Sequence, residues 1–373
     1  MSEIELSDEQ LEVVEALSSG IDRGKMVQTL GGYAGTGKTT SIRALKERHP
    51  GMEVCAFTGK AANVLRRKGI DAATIHSLIY VPVTIDEIIE PAKGKPGTMG
   101  YVPAKTEQKL EFHLRDELDS SVDGFIVDEA SMVGELIYRD LLTFGLPLVF
   151  VGDHGQLPPV QGDLNLMEEP QYRLEHVHRN AGDIARFAEW LRFGNPARNF
   201  ERATDEVALL TPESLDNVLL MGADQVICAF NKTRVSFNRR IRKALGRGDE
   251  IEPNDRIMFL KNDRVVSVFN GLQGQVTSIT VSKGKPVVSL VGDSRSFEDL
   301  PVYLVREKDQ RENWPPKRHP VDFAYCITAH KAQGDEWDDV LVIEQKCEAW
   351  EHRRWAYTAA SRARSRLSWV LSP

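Results

Sequence analysis

The sequence lacks the features that mark membrane, secreted and zinc-stabilised proteins. No stretch approaches the ~20 consecutive apolar residues needed to cross a bilayer, and residues 1–5, Met-Ser-Glu-Ile-Glu, lack the basic and apolar regions of a signal peptide. The four cysteines stand far apart and form no C-x-x-C pair, which argues against a structural zinc and favours buried thiols in a reducing compartment. We therefore expect a cytoplasmic protein, in the host cytoplasm if its source is viral, that binds no membrane.

Charge is distributed unevenly along the chain. The 373 residues are 41% hydrophobic and 27% charged, which is typical of a globular chain with two or three domains. The net charge of −8 does not favour a nucleic-acid partner, yet residues 228–248 contain seven basic and no acidic residues. A local basic face binds phosphate backbones whatever the overall sign. We expect this segment to face outward, either as such a face or as a solvated helix.

Residues 32–39, Gly-Tyr-Ala-Gly-Thr-Gly-Lys-Thr, fit the G-x-x-x-x-G-K-T pattern of a phosphate-binding loop. An apolar stretch at 26–30 predicts a strand before it, and residues 40–46 can open a helix after it. Glycines let the backbone N–H groups point at phosphate oxygens, and the helix N-terminus adds partial positive charge. The pattern predicts that Lys38 reaches the β- and γ-phosphates and that the Thr39 hydroxyl holds magnesium. The predicted nucleotide-binding residues of this loop are Gly32, Gly35, Thr36, Gly37, Lys38, Thr39 and Thr40.

Polar residues follow each of the next apolar stretches. The stretch at 54–57 ends in Thr58-Gly59-Lys60, the one at 124–127 in Asp128-Glu129, and the one at 147–151 in a Gly-Asp-His-Gly-Gln-Leu-Pro-Pro loop at 152–159. Strands that alternate with helices predict a parallel sheet covered on both faces. Ligands of such sheets gather at the carboxyl ends of the strands. The sequence therefore predicts an α/β fold with one nucleotide site at that edge.

Three side chains near this edge have predicted chemical roles. Asp128 is expected to hold magnesium through water, because magnesium keeps most of its hydration shell and takes only one or two carboxylates. Glu129 is expected to polarise the water that attacks the γ-phosphate, and Gln156 to sense that phosphate or orient the water. The second half of the chain adds Arg179, the segment 330–334 (His-Lys-Ala-Gln-Gly) and the segment 357–362 (Tyr-Thr-Ala-Ala-Ser-Arg).

The ordered set of motifs resembles the superfamily 1B helicases, whose members move 5′ to 3′ on single-stranded DNA, and within them the RecD-like enzymes and the phage Dda helicase. The resemblance spans residues 10–364. Gln10 matches the glutamine that reads adenine. In the first half of the chain, residues 32–39 match motif I, residues 58–60 motif Ia, residues 74–76 motif Ib, residues 128–131 motif II and residues 152–159 motif III. In the second half, Arg179 matches the arginine of motif IV, residues 330–334 match motif V and residues 357–362 match motif VI. Ser361 stands where the family more often has threonine, and it retains a hydroxyl. The Pif-type branch matches less well, because the segment between Asp128 and Gly152 is short and lacks that branch's longer signature.

The resemblance implies two RecA-like lobes, each a parallel sheet flanked by helices, with ATP clamped between them. It implies that Arg179 and Arg362 act from the second lobe as arginine fingers on the γ-phosphate, so that the catalytic groups are Lys38, Glu129, Gln156, Arg179 and Arg362. The positions that match the family's contacts to single-stranded DNA are Thr58, Lys60, His76, Asn270, His330 and Lys331.

Two insertions into the lobes are also predicted. Residues 80–105 carry turn-forming Gly and Pro between apolar pairs, which suits the β-hairpin pin of the family, although a proline-rich disordered segment fits the same composition. Met99 and Tyr101 could present the edge that separates the strands. Residues 266–319 alternate apolar and polar, which predicts a small SH3-like β-barrel. The expected domains are a first lobe at 1–165, a second lobe at 166–265 and 320–373, and the barrel at 266–319.

The sequence thus predicts an ATP- and Mg²⁺-dependent 5′-to-3′ DNA helicase. Its expected partners are single-stranded DNA, junctions of single- and double-stranded DNA and a single-strand-binding protein, with the chain itself a monomer. An RNA helicase, or a nucleic-acid-stimulated ATPase that does not separate strands, is an alternative, since no motif here reads the 2′-hydroxyl. A non-translocating nucleotide switch is a second alternative, but it would need no residues of motifs V and VI.

Overall fold

The computed structural model describes most of the chain. The described residues are 5–90, 105–158, 164–176, 182–201, 204–261, 263, 266, 268, 270–282, 284–292, 296–306, 314–315, 317–346 and 351–372, with 84–90 and 105–111 described by their backbone alone. Within these ranges, no helix has both the length and the apolar character needed to span a bilayer.

The first lobe is a parallel sheet in the strand order β3-β2-β6-β7-β1-β8. Its strands are β1 (Val27–Gly32), β2 (Met52–Ala56), β3 (Ala73–Thr74), β6 (Gly124–Asp128), β7 (Leu148–Gly152) and β8 (Tyr172–Leu174). Its helices are α1 (Asp8–Asp22), α2 (Lys38–Arg48), α3 (Gly59–Arg67), α4 (Ile75–Ile79) and α5 (Glu135–Leu142).

Alternate residues of the central strands enter two separate cores. Ile126 and Val149 pack with the residues of α1, α2 and α3, whereas Phe125 and Phe150 pack with those of α4 and α5. A strand that buries both faces reads as a continuous apolar run, which is what the sequence shows at 124–127 and 147–151. The predicted sheet, covered by helices on both faces, is confirmed.

The second lobe is another parallel sheet, in the order β16-β10-β17-β18-β9. Its strands are β9 (Val207–Leu210), β10 (Gln225–Cys228), β16 (Cys326–Thr328), β17 (Trp337–Ile343) and β18 (Ala363–Val370). Its helices are α6 (Asp183–Arg192), α7 (Asn217–Gly222), α8 (Asn231–Ala244) and α9 (His352–Ala360). Trp355 of α9 and Trp369 of β18 are fully buried and pack edge to face, with ring centroids 6.0 Å apart.

A closed five-stranded barrel interrupts this lobe. It consists of β11 (Arg256–Phe259), β12 (Gln273–Ser282), β13 (Lys285–Gly292), β14 (Ser296–Leu304) and β15 (His319–Phe323). Its core contains Phe259, Val276, Leu290 and Val302, all buried. The predicted barrel is confirmed, and it draws on strands that lie outside 266–319, because β11 pairs with both β12 and β15 to close the ring.

A two-stranded antiparallel hairpin extends from the first lobe. Its strands are β4 (Tyr80–Glu90) and β5 (Lys105–Leu114), and their register pairs Tyr80 with Leu114 and Thr84 with Leu110. The hairpin therefore extends past residue 105, the predicted end of the insertion. The Gly- and Pro-rich segment that indicated a turn precedes the returning strand, whose own signal is the alternating pattern Leu110-Glu111-Phe112-His113-Leu114.

The sheets give domain limits that differ in detail from the predicted ones. β8 pairs with β1 in the first sheet, so that sheet reaches beyond residue 165. The strand is only three residues long and lies after a loop, which leaves little periodicity to recognise. The bounds 1–165, 166–265 with 320–373, and 266–319 stay a prediction, and sheet membership favours a later first boundary and a wider barrel.

The basic segment 228–248 is mainly α8, and part of it faces inward. Arg242 and Arg247 donate to the buried Asp255, at 3.0 and 2.7 Å, and Arg234 lies 2.6 Å from Asp322. The expectation that the segment faces outward holds only for the four remaining cations of α8, which are all exposed: Lys232, Arg239, Arg240 and Lys243. The segment as a whole therefore anchors the barrel to the second lobe.

Candidate nucleotide and nucleic-acid site

The phosphate-binding loop joins β1 to α2 in the predicted way. Gly35 and Gly37 have φ angles of 84° and 85°, in the left-handed region that favours glycine. A Cβ on Gly37 would lie 2.0 Å from Nε2 of Gln10. The Lys38 ammonium lies across the loop and donates to the carbonyl oxygens of Gly32 and Tyr33 at 2.7 and 3.0 Å. The lysine is therefore held at the loop, beside the amides that a phosphate would use.

Gln10 contacts the loop rather than projecting away from it. Its side-chain oxygen accepts from the backbone N–H of Ser7 at 3.1 Å, which completes a capping box at the start of α1. Its Nε2 donates to the carbonyl oxygen of Thr36 at 3.1 Å, and the side chain is buried. The structure thus places Gln10 as a brace of the phosphate-binding loop, and the adenine contact implied by the resemblance stays a prediction.

Asp128 and Glu129 stand at the carboxyl end of β6, beside the loop. Glu129 has φ 53° and ψ 41°, a left-handed conformation that is uncommon for glutamate and is often found at functional sites. Burial and, to a smaller extent, the Asp128 carboxylate raise the pKa of Glu129 to about 7, against the opposing effects of Arg362 and Lys38. Burial also raises the pKa of Asp128. Glu129 is accordingly a carboxylate with enhanced basicity, as a general base requires.

The oxygen donors near the loop fit magnesium. Thr39 supplies a hydroxyl that accepts from the ammonium of Lys68 at 3.4 Å, and Asp128 supplies a carboxylate. In the described ranges, no group of three or more His, Cys, Asp and Glu side chains could hold a metal ion by itself. One carboxylate, one hydroxyl and substrate phosphates are the ligands that magnesium takes. Lys68, the C-cap residue of α3, belongs to no motif, so its contact with Thr39 is not predictable from the sequence pattern.

The loop after β7 carries a buried polar cluster. Asp153 is buried and accepts from the N–H of Gly155 at 2.9 Å and from Nε2 of Gln156 at 3.2 Å. The Oε1 atom of Gln156 is buried and has no hydrogen-bond partner among the residues that the structure describes. Because an unpaired buried acceptor is costly, this atom fits a site that receives a donor when ligand or water is bound. The predicted role of Gln156 stays a prediction.

Arg362 lies in the second lobe, at the end of α9, and is buried. Its guanidinium donates to the carbonyl oxygens of Thr358 and Asp335 at 3.0 and 3.1 Å and to Oγ of Ser361 at 2.9 Å. It is near enough to Glu129 to lower the pKa of that carboxyl. Ser361 stands where the family more often has threonine, and its hydroxyl thus positions the arginine. Three of the five N–H donors of Arg362 are thus engaged within its own lobe.

Helix α9 also contacts the first lobe directly. The Tyr357 hydroxyl accepts from the N–H of Ala34 in the phosphate-binding loop at 2.9 Å and donates to Oδ2 of Asp153 at 2.8 Å. Oγ1 of Thr358 accepts from the N–H of Leu157 at 3.0 Å. The sequence motif points to the arginine of this segment and predicts no role for Tyr357 or Thr358. The sequence feature that indicates such a role is the pair of hydroxyl groups on Tyr357 and Thr358, which stand among apolar residues.

Two further side chains of the second lobe bind the loop after β7. Arg354 donates to the carbonyl oxygens of His154 and Gln156 at 3.1 and 3.3 Å, and Gln333 donates to that of Leu157 at 3.0 Å. Residues of motifs V and VI therefore both contact the loop of motif III. This loop therefore forms a large part of the contact between the lobes.

The predicted DNA-binding residues of the first lobe surround the ends of β2 and β3. Thr58 caps α3 by accepting from the N–H of Ala61 at 3.1 Å, and the His76 ring lies 5.2 Å from that of Tyr80. The Lys60 ammonium lies 2.8 Å from Oδ2 of Asp335, which belongs to the second lobe. Lys60 thus spans the two lobes at the edge where a nucleic-acid strand is expected.

The predicted DNA-binding residues of the second lobe also meet. Lys331 donates to Oδ1 of Asn270 at 2.6 Å, which brings motif V and the start of the barrel into contact. His330 is adjacent, and burial lowers its pKa, so the ring is neutral at pH 7. A neutral imidazole can stack on bases or accept a hydrogen bond, whereas the positive charge here comes from Lys331.

Three of the predicted residues lie outside the described ranges. These are Arg179, Met99 and Tyr101. Their assignments as an arginine finger and as candidate wedge residues stay predictions.

The arrangement supports phosphoryl transfer to water across a cleft. One side offers a phosphate-binding loop with Lys38, a carboxylate for magnesium and a basic Glu129, and the other offers Arg362 on a helix that binds the loop of motif III. Charge neutralisation and positioning account for most catalysis of this reaction. The same two sides carry Lys60, Lys331 and His330 at the surface.

Two family models match the chain. The model of the AAA domain matches residues 5–211, and that of the UvrD-like helicase C-terminal domain matches residues 323–370. The first match contains the phosphate-binding loop and motifs II and III, and the second contains motifs V and VI.

Curated relatives of two kinds are similar to this chain. It is 28% identical over 400 residues to the ATP-dependent RecD2 DNA helicase of Deinococcus radiodurans, a match that covers 97% of this chain and 48% of the relative. It is 27% identical over 416 residues to the ATP-dependent DNA helicase Pif1 of Bdellovibrio bacteriovorus, covering 97% of this chain and 87% of the relative. The chain spans about half the length of the RecD2 relative. The two identities are nearly equal, so these comparisons do not place the chain nearer the RecD-like than the Pif-type branch.

Among solved structures, the fold is similar to that of a Pif1 helicase from Bacteroides in complex with ADP-AlF3 and single-stranded DNA. The TM-score is 0.59 at 18% identity, and the match covers 100% of this chain and 95% of the other. The likeness confirms two RecA-like lobes with an inserted barrel.

Proposed function

Because the chain belongs to the AAA domain family and, by its motifs and fold, to the superfamily 1B helicases, we propose that it is an ATP-dependent DNA helicase. We further propose that it moves 5′ to 3′ along single-stranded DNA. The observation that carries the proposal is the cleft in which helix α9 of the second lobe hydrogen-bonds both the phosphate-binding loop and the loop of motif III. A nucleotide in that cleft contacts both lobes, so its hydrolysis can change their arrangement.

Hydrolysis is assigned to residues of both lobes. Lys38 and the loop amides bind the β- and γ-phosphates, Glu129 orients and deprotonates the attacking water, and Gln156 orients the same water or a phosphate oxygen. Arg362, together with Arg179, neutralises charge on the transferred phosphoryl group. Thr39 and, through water, Asp128 would hold magnesium, which neutralises phosphate charge when bound.

Translocation is supported by the position of the nucleic-acid residues. Thr58, Lys60 and His76 belong to the first lobe, and Asn270, His330 and Lys331 to the second, so a strand that contacts both sets follows the relative motion of the lobes. The Lys60–Asp335 pair and the Lys331–Asn270 contact place cationic groups at that surface. Lysines bind phosphate regardless of base, as a motor that moves along any sequence requires.

Strand separation is assigned to the hairpin of β4 and β5. It is the element that extends from the first lobe without pairing to its sheet. A rigid hairpin at a fork can split base pairs while the lobes draw one strand past it. The proposed substrates are therefore single-stranded DNA and its junctions with duplex. A single-strand-binding protein is a further proposed partner, and the proposed active form is a monomer.

The test uses partial duplexes with either a 5′ or a 3′ single-stranded tail. We expect ATP- and magnesium-dependent unwinding of the 5′-tailed substrate and none of the 3′-tailed one. Unwinding of the 3′-tailed substrate alone would overturn the direction. ATP hydrolysis that no nucleic acid stimulates would overturn the motor. Stimulation by poly-U equal to that by poly-dT would show that RNA serves as well as DNA.

A further inference from the structure

The Tyr357 hydroxyl occupies an unusual position between the two lobes. It is part of the second lobe, yet both of its hydrogen bonds go to the first: it accepts from the N–H of Ala34 at 2.9 Å and donates to Oδ2 of Asp153 at 2.8 Å. The residue is only 3% exposed. The ring packs so closely on the loop that a Cβ added at Gly155 would lie 2.9 Å from its Cε1 atom.

The donor from Ala34 is one of the backbone N–H groups of the phosphate-binding loop. In such loops the amides point toward phosphate oxygens. A phosphate oxygen that takes the Ala34 N–H therefore displaces the tyrosine hydroxyl as its partner. The occupancy of the loop and the position of Tyr357 are linked through this one donor.

The acceptor, Asp153, links the tyrosine to a second catalytic group. Asp153 also accepts from Nε2 of Gln156, whose Oε1 is buried without a partner. Burial and the Asp153 carboxylate raise the pKa of Tyr357 well above its usual value, so the hydroxyl stays protonated and remains a donor. The tyrosine, Asp153 and Gln156 thus form one connected chain of hydrogen bonds.

The same helix carries Arg362, which is still bound inside its own lobe. Its donors are directed to Thr358, Asp335 and Ser361. Thr358 in turn accepts from the N–H of Leu157 in the first lobe. A shift of α9 relative to the loop of motif III therefore changes the surroundings of Arg362 as well.

We propose that Tyr357 is a positioning residue that couples the phosphate-binding loop to Gln156 and Arg362, so that occupancy of the loop sets the position of α9. The inference rests on the proposed motor function and deepens it. Without nucleotide, the hydroxyl ties the loop to the second lobe. With the Ala34 N–H engaged by phosphate, the hydroxyl is released to Asp153 alone, and α9, still bound to the motif III loop through Thr358 and Arg354, can bring Arg362 forward.

The test is Tyr357→Phe, which keeps the ring against Gly155 and removes only the hydroxyl. The matched control is Tyr325→Phe, because Tyr325 is also buried and donates to an aspartate, Asp255, at 2.8 Å, but at the junction with the barrel. The measurements are kcat and KM for ATP with and without single-stranded DNA, and the thermal midpoint of each variant.

We expect the Tyr357→Phe enzyme to lose about tenfold of its DNA-stimulated kcat, the factor expected for one hydrogen bond of this kind, while KM for ATP stays equal or falls. Tyr325→Phe should lower the thermal midpoint by about as much as Tyr357→Phe does, because each variant loses one buried hydrogen bond. It should leave the stimulation ratio unchanged. A Tyr357→Phe enzyme with the parent's stimulation ratio, or an equal loss in Tyr325→Phe, would overturn the inference.

A readout independent of the motor activity completes the test. Backbone amide exchange at Ala34, measured without nucleotide, should be faster in Tyr357→Phe than in the parent and unchanged in Tyr325→Phe. Equal exchange in all three proteins would contradict the hydrogen bond on which the coupling depends. A parent enzyme that DNA does not stimulate would instead refute the proposed function, and the exchange result would still decide the contact.

Discussion

The two sides of the cleft differ in how far they are prepared for catalysis. On the first-lobe side, the acceptor of Gln156 is unpaired and burial makes Glu129 more basic. On the second-lobe side, Arg362 is bound to three acceptors of its own lobe. One side is preorganised, and the other rearranges in the coupling that we propose for Tyr357. A motor needs this asymmetry, because a site that was complete in every state would hydrolyse ATP without any change in the lobes.

The difference follows from where each side chain stands. Lys38, Asp128, Glu129 and Gln156 come directly after strands or glycine turns of one sheet, so the backbone alone brings them together. Arg362 directly follows helix α9, which contacts the first lobe through side chains such as Thr358 and Arg354. Contacts of this kind can exchange partners without unfolding either sheet.

The largest effect is expected from the side that must rearrange. Arg362→Ala should lower DNA-stimulated kcat about 10³-fold or more and leave KM for ATP nearly unchanged, because an arginine finger acts on charge that develops in the transition state. The measurement is steady-state ATP hydrolysis with saturating single-stranded DNA. An Arg362→Ala enzyme with unchanged stimulated kcat would refute the two-lobe clamp.

Because Arg362 is buried, its loss could also disturb folding. Arg362→Lys keeps a cation and should fold like the parent but remain far below it in kcat, since lysine cannot reproduce the guanidinium geometry. Arg366→Ala is the matched surface control, because Arg366 is exposed on β18 and pairs with Asp339. It should leave both kcat and KM unchanged.

The next largest effect is expected from the preorganised side. Glu129→Gln keeps the volume but removes the base, so kcat should fall by about 10²–10⁴ while ATP still binds. Lys38→Ala should weaken both binding and turnover, because the lysine contacts the phosphates in the ground state as well. Equilibrium binding of a fluorescent ATP analogue separates the two variants. Near-normal turnover in Glu129→Gln would remove Glu129 from the proposed mechanism.

A third prediction separates hydrolysis from strand opening. The register of β4 and β5 pairs Thr84 with Leu110, so replacing residues 84–110 by a short Gly-Ser turn trims the hairpin evenly. Each base-pair step costs about 1.4 kcal/mol to open, which is roughly tenfold in rate if the wedge supplies it. DNA-stimulated hydrolysis should persist, and unwinding of the 5′-tailed duplex should fall at least tenfold. Unwinding at the parent's rate would show that this hairpin is not the wedge.

The smallest effect concerns the ion pair between the lobes. Lys60→Ala should weaken binding of single-stranded DNA equally for all sequences and reduce the slope of log affinity against log salt by about 1, as expected for one lost phosphate contact. Asp335→Asn releases Lys60 from its partner and should strengthen binding instead. Both are measured by fluorescence anisotropy across a salt series. A weaker affinity in Asp335→Asn would show that the pair serves only to join the lobes.

Several parts of this protein were readable from the chain alone. The phosphate-binding loop, the carboxylates after β6 and the loop after β7 are local patterns, because glycine placement and strand-end position are properties of neighbouring residues. The barrel was recognisable from its alternation, but its limits were not, since β11 and β15 join it from outside the alternating segment. The returning strand of the hairpin was missed because the turn residues were read as its end.

The sequence by itself determined the order of motifs that places the chain in its family, and it predicts which residues bind phosphate and which carboxylate acts as base. Only the tertiary structure decided how these groups are connected. Gln10 braces the loop through the carbonyl of Thr36, Lys60 pairs with Asp335 across the lobes, and Tyr357 bonds to Ala34. The last two of these contacts join residues hundreds of positions apart, the first joins residues 26 apart, and all three depend on how elements pack against one another. No local pattern encodes them.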